Sequence, residues 1–169
     1  MDKHVEQALA FHKKGFNCAQ AVACAFAEDL GRDQREIFRI MEAFGFGMGA
    51  METCGALSVM TAVIGMKESD GNLEKPATKR ICYRISKELL RQFREKNGSV
   101  ICRELKGVET KKPLRSCNGC IQDAVELTAA YLQGDFDQRL RQLEEEEAAK
   151  AAARKAAKAA AAAEKRTEE

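Results

Sequence analysis

The sequence predicts an all-α protein, a compact bundle of five to six short helices followed by a C-terminal Ala/Lys/Glu-rich helical tail. Three observations predict it. Apolar residues recur at helical spacing in successive segments, glycines and small polar residues punctuate those segments, and no segment alternates with period two for long enough to make a strand. At 169 residues, 45% hydrophobic and 32% charged, the chain is ordinary for one domain with a real core.

From Asp2 to Lys14 the apolar positions Val5, Ala8, Leu9 and Phe11 fit a short amphipathic helix that Gly15 stops. Asn17 caps a second helix, CAQAVACAFAEDL, closed by Gly31. Asp33 opens a third, with Ile37, Phe38, Ile40, Met41 and Phe44 as its stripe, and the glycine-rich loop GFGMGAMET follows directly. Thr53 is the expected cap of a fourth helix, CGALSVMTAVI, ended by Gly65. Pro76 fits the first turn of the longest helix, where Ile81, Ile85, Leu89 and Phe93 repeat up to Asn97 and Gly98. Ser99 begins a short turn, VICREL, and beyond a basic loop Ser116 opens a helix from Cys117 to Tyr131, with Ile121 and Val125 facing inward.

This places a cysteine-containing helical domain over residues 1–143. Residues 144–169, EEEEAAKAAARKAAKAAAAAEKRTEE, hold no large apolar side chain, so they form helix by propensity but bury no face. Deleting them should change thermal stability little. Should the alanine face dock, its partner is a second copy of the chain, which makes a homodimer.

No apolar run approaches the roughly 18 residues of a membrane span, and MDKHVEQALAFHKK lacks the apolar stretch of a signal peptide, so a cytoplasmic protein is expected. The formal charge is +2, yet Lys79 to Arg115 holds twelve Lys or Arg against four Glu. A solvated helix face accounts for that excess more simply than nucleic-acid binding does.

Seven cysteines is a high and odd number for such a chain, which argues for redox or metal chemistry rather than a secreted disulfide framework. Cys18 follows Asn17, Cys54 follows Thr53, Cys117 follows Ser116, and Cys102 comes soon after Ser99, so all four fall in first turns of expected helices. Free N–H groups and the helix dipole stabilise a thiolate there, the form that ligates metal or attacks a disulfide. Cys24 and Cys82, inside helices on apolar flanks, read instead as small buried hydrophobes. Cys117-Asn118-Gly119-Cys120 is a C-x-x-C at a helix start, an attacking thiol with a resolving one beside it. Gly45, Gly47 and Gly49 follow a helix and lack dinucleotide-binding spacing, so their expected use is close backbone approach, with N–H groups hydrogen-bonding the sulfurs of a bound group. His4 and His12 have no partner at ligand spacing and read as surface residues.

NCAQAV around Cys18, GFGMGAMETCGALS through Cys54, ICREL around Cys102 and CNGCIQDAVEL from Cys117 resemble the C-GCAxxG-C-C family of redox-active proteins, over residues 1 to about 140. The resemblance implies a small helical cytoplasmic protein with a redox role, and carries the family's four cysteines over to Cys18, Cys54, Cys102 and Cys117. Its C-G-A-x-x-G motif falls on Cys54, Gly55 and Ala56, with Val59 in place of the last glycine, and Cys120 is an additional thiol beside Cys117. A further similarity to the cysteine-rich part of split-Soret cytochromes implies an iron–sulfur cluster. No C-x-x-C-H sequence is present for haem attachment.

The leading functional expectation is electron transfer or redox sensing through an iron–sulfur centre on Cys18, Cys54, Cys102 and Cys117, working with a redox partner protein. Thiol–disulfide exchange by Cys117 and Cys120 is the alternative. A zinc-stabilised interaction module using the basic surface is the third.

Overall fold

The computed structural model describes residues 3–134 continuously and, beyond them, 141, 142, 145, 148, 149 and 152–157. Among the described residues seven α-helices carry the fold: α1 (Lys3–Lys13), α2 (Cys18–Ala25), α3 (Gln34–Met41), α4 (Gly55–Glu68), α5 (Lys79–Asn97), α6 (Cys102–Leu105) and α7 (Cys117–Leu132). There is no strand among them, only an isolated antiparallel bridge between Thr53 and Ile101. The protein is all-α, as its periodicity predicts. No helix among the described residues is long and apolar enough to cross a membrane.

The chain divides into two units, residues 1–130 and 131–169. The expected boundary after residue 143 lies outside the described residues, and so does most of the expected tail. In the second unit, the described residues from 141 onward are helical and exposed.

In the first unit α2 is the central element. Its sequence, CAQAVACA, is small and apolar on every side, and all its residues from Ala19 to Ala25 are buried. A helix without a polar face belongs inside a fold, and small side chains let neighbours come close. It packs against α1, α3 and α4, and α4 packs in turn on α5. Phe26, Leu57, Met60, Ile64, Ile85, Leu89, Phe93, Leu105 and Ile121 fill the space between them, each almost fully buried. Burial of that apolar area is the main stabilising contribution.

The caps explain most boundaries. Asn17 accepts hydrogen bonds from Ala19 N and Gln20 N at 2.9 Å each, and the Gln20 side chain accepts one from Asn17 N in return, a full capping box. Asp33 accepts from Glu36 N at 2.8 Å, and Gly98 closes α5 with φ +79°.

Four expectations need correction. α2 ends at Ala25 rather than near Gly31, because residues 26–31 run on as hydrogen-bonded turns. α4 starts from Cys54 as its N-cap, not Thr53, whose backbone is engaged in the bridge to Ile101. Gly65 does not end α4, which continues to Glu68 because its flank, Val63 and Ile64, is held in the core. Pro76 lies before α5, which starts at Lys79 with Thr78 as its N-cap, rather than in its first turn.

Candidate functional site

Two central helices begin side by side, α2 at Cys18 and α4 at Gly55. Gly55 is what lets them meet: a Cβ on it would stand 2.5 Å from the carbonyl oxygen of Phe44 and 2.8 Å from Cys18 Sγ. This gives the motif Cys54-Gly55-Ala56 a physical reason, since no larger residue fits beneath the Cys18 sulfur.

A backbone clamp brings in the third cysteine. Cys54 N donates to Val100 O at 2.9 Å and Cys102 N to Glu52 O at 2.6 Å, on either side of the Thr53–Ile101 bridge. Arg103 braces it with a 2.6 Å ion pair to Glu52 and a 3.2 Å hydrogen bond to Ala50 O. Gly47 sits under Cys102, where a Cβ would meet Cys102 Cβ at 2.9 Å.

The fourth segment is the start of α7. The Cys120 thiol donates a hydrogen bond to Cys54, and Cys117, one turn earlier, lies within electrostatic range of Cys18, Cys102 and Cys120. Cys117 Sγ is also 3.7 Å from Lys106 Nζ. Five thiols from four segments therefore share one neighbourhood, with Cys54, Cys102 and Cys120 buried and Cys18 and Cys117 half-exposed.

Their acidities differ sharply. The hydrogen bond from Cys120 is the largest influence on Cys54; it outweighs burial and, with the N–H groups of Leu57 and Ala56, lowers the thiol to about 7. The same bond, then burial, then the charges of Cys54, Cys117 and Asp123 push Cys120 far upward, opposite to its partner. Burial raises Cys18 in spite of N–H donors from Phe46 and Ala56, with Cys54 and Cys117 adding to the rise. Cys102 goes up to about 11 through burial, then through the neighbouring Cys54, Cys18 and Cys117. First-turn position alone therefore does not make an acidic cysteine. The free N–H groups of α2 are taken by Asn17, whereas those of α4 are left for sulfur.

The glycine loop contributes differently from the expectation. The N–H that reaches Cys18 belongs to Phe46, while Gly45 leaves room for the Asn17 side chain, 2.5 Å from where its Cβ would be. Gly49 has nothing within 4 Å of that position. The loop is strained: Phe46, Met48 and Met51 all take left-handed φ of 55–58°. Non-glycine residues in that region are costly and concentrate at functional sites.

Cys24 is buried and raised to about 11 by that burial, the structural residue expected. Cys82 is only half-buried, beside the exposed Ile81 and Tyr83, and so is not a core residue. The histidines are not surface residues without partners. His4 is buried, stacks on Phe26 at 4.7 Å and meets Asp29 at 2.6 Å. His12 hydrogen-bonds through Nδ1 to Asn118 Oδ1 at 2.7 Å, which ties α1 to the C-x-x-C turn.

Sequence reasoning missed the Cys54–Cys120 contact, Lys106, and the ion pairs behind Cys120, where the fully buried Asp123 meets Arg115 at 2.8 Å and Lys96 at 2.7 Å. The only available signal was the extra cysteine of the C-x-x-C, with Asp123 on the same helical face one turn later.

The family model described as "Putative redox-active protein (C_GCAxxG_C_C)" matches residues 16–131. The chain belongs to this family. The matched span contains the whole thiol neighbourhood, from Cys18 to Cys120. No curated protein and no solved structure matches the chain.

As thiolates these donors suit a soft metal or an iron–sulfur group, and N–H groups meet two of the sulfurs. Among the described residues, however, no group of three or more His, Cys, Asp or Glu side chains is arranged to hold a metal ion.

Proposed function

We propose that the protein is a thiol–disulfide redox protein in which Cys117, Cys120 and Cys54 pass a disulfide inward from the surface. The observation that carries this reading is the position of Cys120, hydrogen-bonded to Cys54 and one helical turn from Cys117.

Cys117, half-exposed beside Lys106, attacks one sulfur of a partner's disulfide, and its proton goes to the partner sulfur that leaves. Cys120 attacks Cys117 Sγ and releases the partner's second sulfur, which takes the Cys120 proton. The Cys54 thiolate attacks Cys120 Sγ, freeing Cys117 as thiolate and leaving a Cys54–Cys120 disulfide. The sum is one partner disulfide reduced to a dithiol and two thiols of this chain oxidised, two electrons and two protons in all. The partner is a disulfide-bearing protein, and we place the exchange in the cytoplasm, where seven free thiols persist.

Disulfide mapping after oxidation by a protein disulfide tests this. A Cys54–Cys120 bond is expected; Cys117→Ser should abolish the exchange, and Cys54→Ser should stop it at Cys117–Cys120. Oxidation that leaves Cys54 and Cys120 reduced overturns it.

The N–H groups aimed at Cys18 and Cys54 favour a second reading, an iron–sulfur centre on Cys18, Cys54, Cys102 and Cys117 or Cys120, with zinc as the other candidate for the same donors. When bound, such a cluster supplies one-electron storage. Iron with acid-labile sulfide in protein purified without oxygen supports this reading; a metal-free preparation, or one zinc per chain, counts against it.

A further inference from the structure

The face around Cys117 has features that thiol chemistry alone does not need. Phe46 and Met48 are 48% and 47% exposed on the strained loop. Lys106 Nζ lies 5.9 Å from the centre of the Phe46 ring while also meeting Cys117. Beyond α6 the chain turns back on itself so tightly that a Cβ on Gly107 would touch Lys112 O at 2.2 Å. That turn leaves a cavity of about 240 Å³ lined by Arg103, Glu104, Gly107, Val108, Glu109, Thr110 and Leu114, with Leu114 56% exposed at its wall.

Lys106, Lys111 and Lys112 are exposed on this face, and among the described residues no carboxylate pairs with them; Lys111 Nζ donates to Val108 O. Arg103 and Arg115 are already matched by Glu52 and Asp123, Glu104 hydrogen-bonds Ser99, and Glu109 stands on the cavity wall. Exposed aromatic and methionine side chains, a cavity sized for one apolar side chain and an uncompensated positive field are the parts of a protein-docking surface.

We propose that this face docks a redox partner protein with an acidic surface, which sets a partner apolar side chain in the Val108–Leu114 cavity and its reacting sulfur over Cys117. Unpaired lysines beside exposed apolar groups speed encounter with an acidic protein and repel a basic one. The inference rests on the thiol–disulfide reading, and the control below separates the two.

The test measures how fast the oxidised, full-length protein is reduced by an acidic thioredoxin, with dithiothreitol as the small neutral comparison. Lys111→Glu together with Lys112→Glu, neither of which touches a cysteine, should slow the thioredoxin reaction roughly ten-fold at low salt. The dithiothreitol rate should stay within about two-fold, and the wild-type thioredoxin rate should fall steeply with salt. Met48→Ser and Leu114→Ser should slow thioredoxin with the salt dependence unchanged. Equal effects on both reductants, or a wild-type rate indifferent to salt, overturn the docking face. A protein that dithiothreitol cannot reduce overturns the thiol–disulfide reading itself, and the docking role with it.

Discussion

The starts of α2 and α4 look alike and behave differently. Each is a central, apolar helix with a cysteine at its first turn, yet Cys18 is raised and Cys54 lowered to about 7. The hydrogen bond from Cys120 is the largest influence on Cys54 and burial the largest on Cys18, and the use of the helix N–H groups adds to that difference. In α2 a dedicated cap, Asn17, takes them and the cysteine comes one residue later; in α4 the cysteine is itself the N-cap, with no competing side chain. A helix terminus stabilises a thiolate only when nothing else has already satisfied it.

The largest effect is expected from Gly55→Ala, which places a Cβ against Phe44 O and Cys18 Sγ and forces the two helix starts apart. Overpacking of this kind costs ~1–3 kcal/mol in denaturant unfolding. A loss within the noise of the measurement would mean that the two termini do not need to touch. Next, Cys120→Ala should move the Cys54 titration, followed by thiolate absorbance, upward from about 7, because the largest of its stabilising contacts is gone. An unmoved titration would assign the whole effect to the Leu57 and Ala56 N–H groups. The sign carries over to stability: a depressed pKa stabilises the fold above the ordinary thiol range and that contribution fades as pH falls through about 7, so the variant should show a flatter stability profile there.

Asn17→Ala sharpens the comparison from the other side. It should cost ~1 kcal/mol as a lost cap. It should also lower the Cys18 titration, since Ala19 N and Gln20 N become free for sulfur. A Cys18 that titrates as before would show that burial alone sets its acidity. The smallest effect concerns Cys24, raised to about 11 by burial. Its contribution to stability is full below the ordinary value of 9.0 and is lost as pH rises to about 11, so Cys24→Ala should weaken alkaline destabilisation over that interval, read from melting temperatures.

The helices were legible wherever caps are local: Asn17 and Asp33 announce their helices, and Gly98 ends α5, within a few residues of sequence. Gly65 misled because a buried flank overrides propensity, and His4 misled because its partners, Asp29 and Phe26, come from a different part of the chain. First-turn placement and the family resemblance together marked Cys18, Cys54, Cys102 and Cys117 as residues of interest, and the fold brings them near one another. Which thiol touches which was not legible. Cys54 meets Cys120 only because the bridge and α7 fix them, and nothing local to either residue encodes that contact.

The bridge between Thr53 and Ile101 also bears on the order in which the protein folds. It joins two segments whose intervening chain contains all of α4 and α5, so closing it costs the entropy of a long loop, and it is favourable only once those helices have packed. Cys54 and Cys102 are thus neighbours only in a chain that is already largely native. The nearness of these two thiols is therefore a product of folding rather than a guide to it.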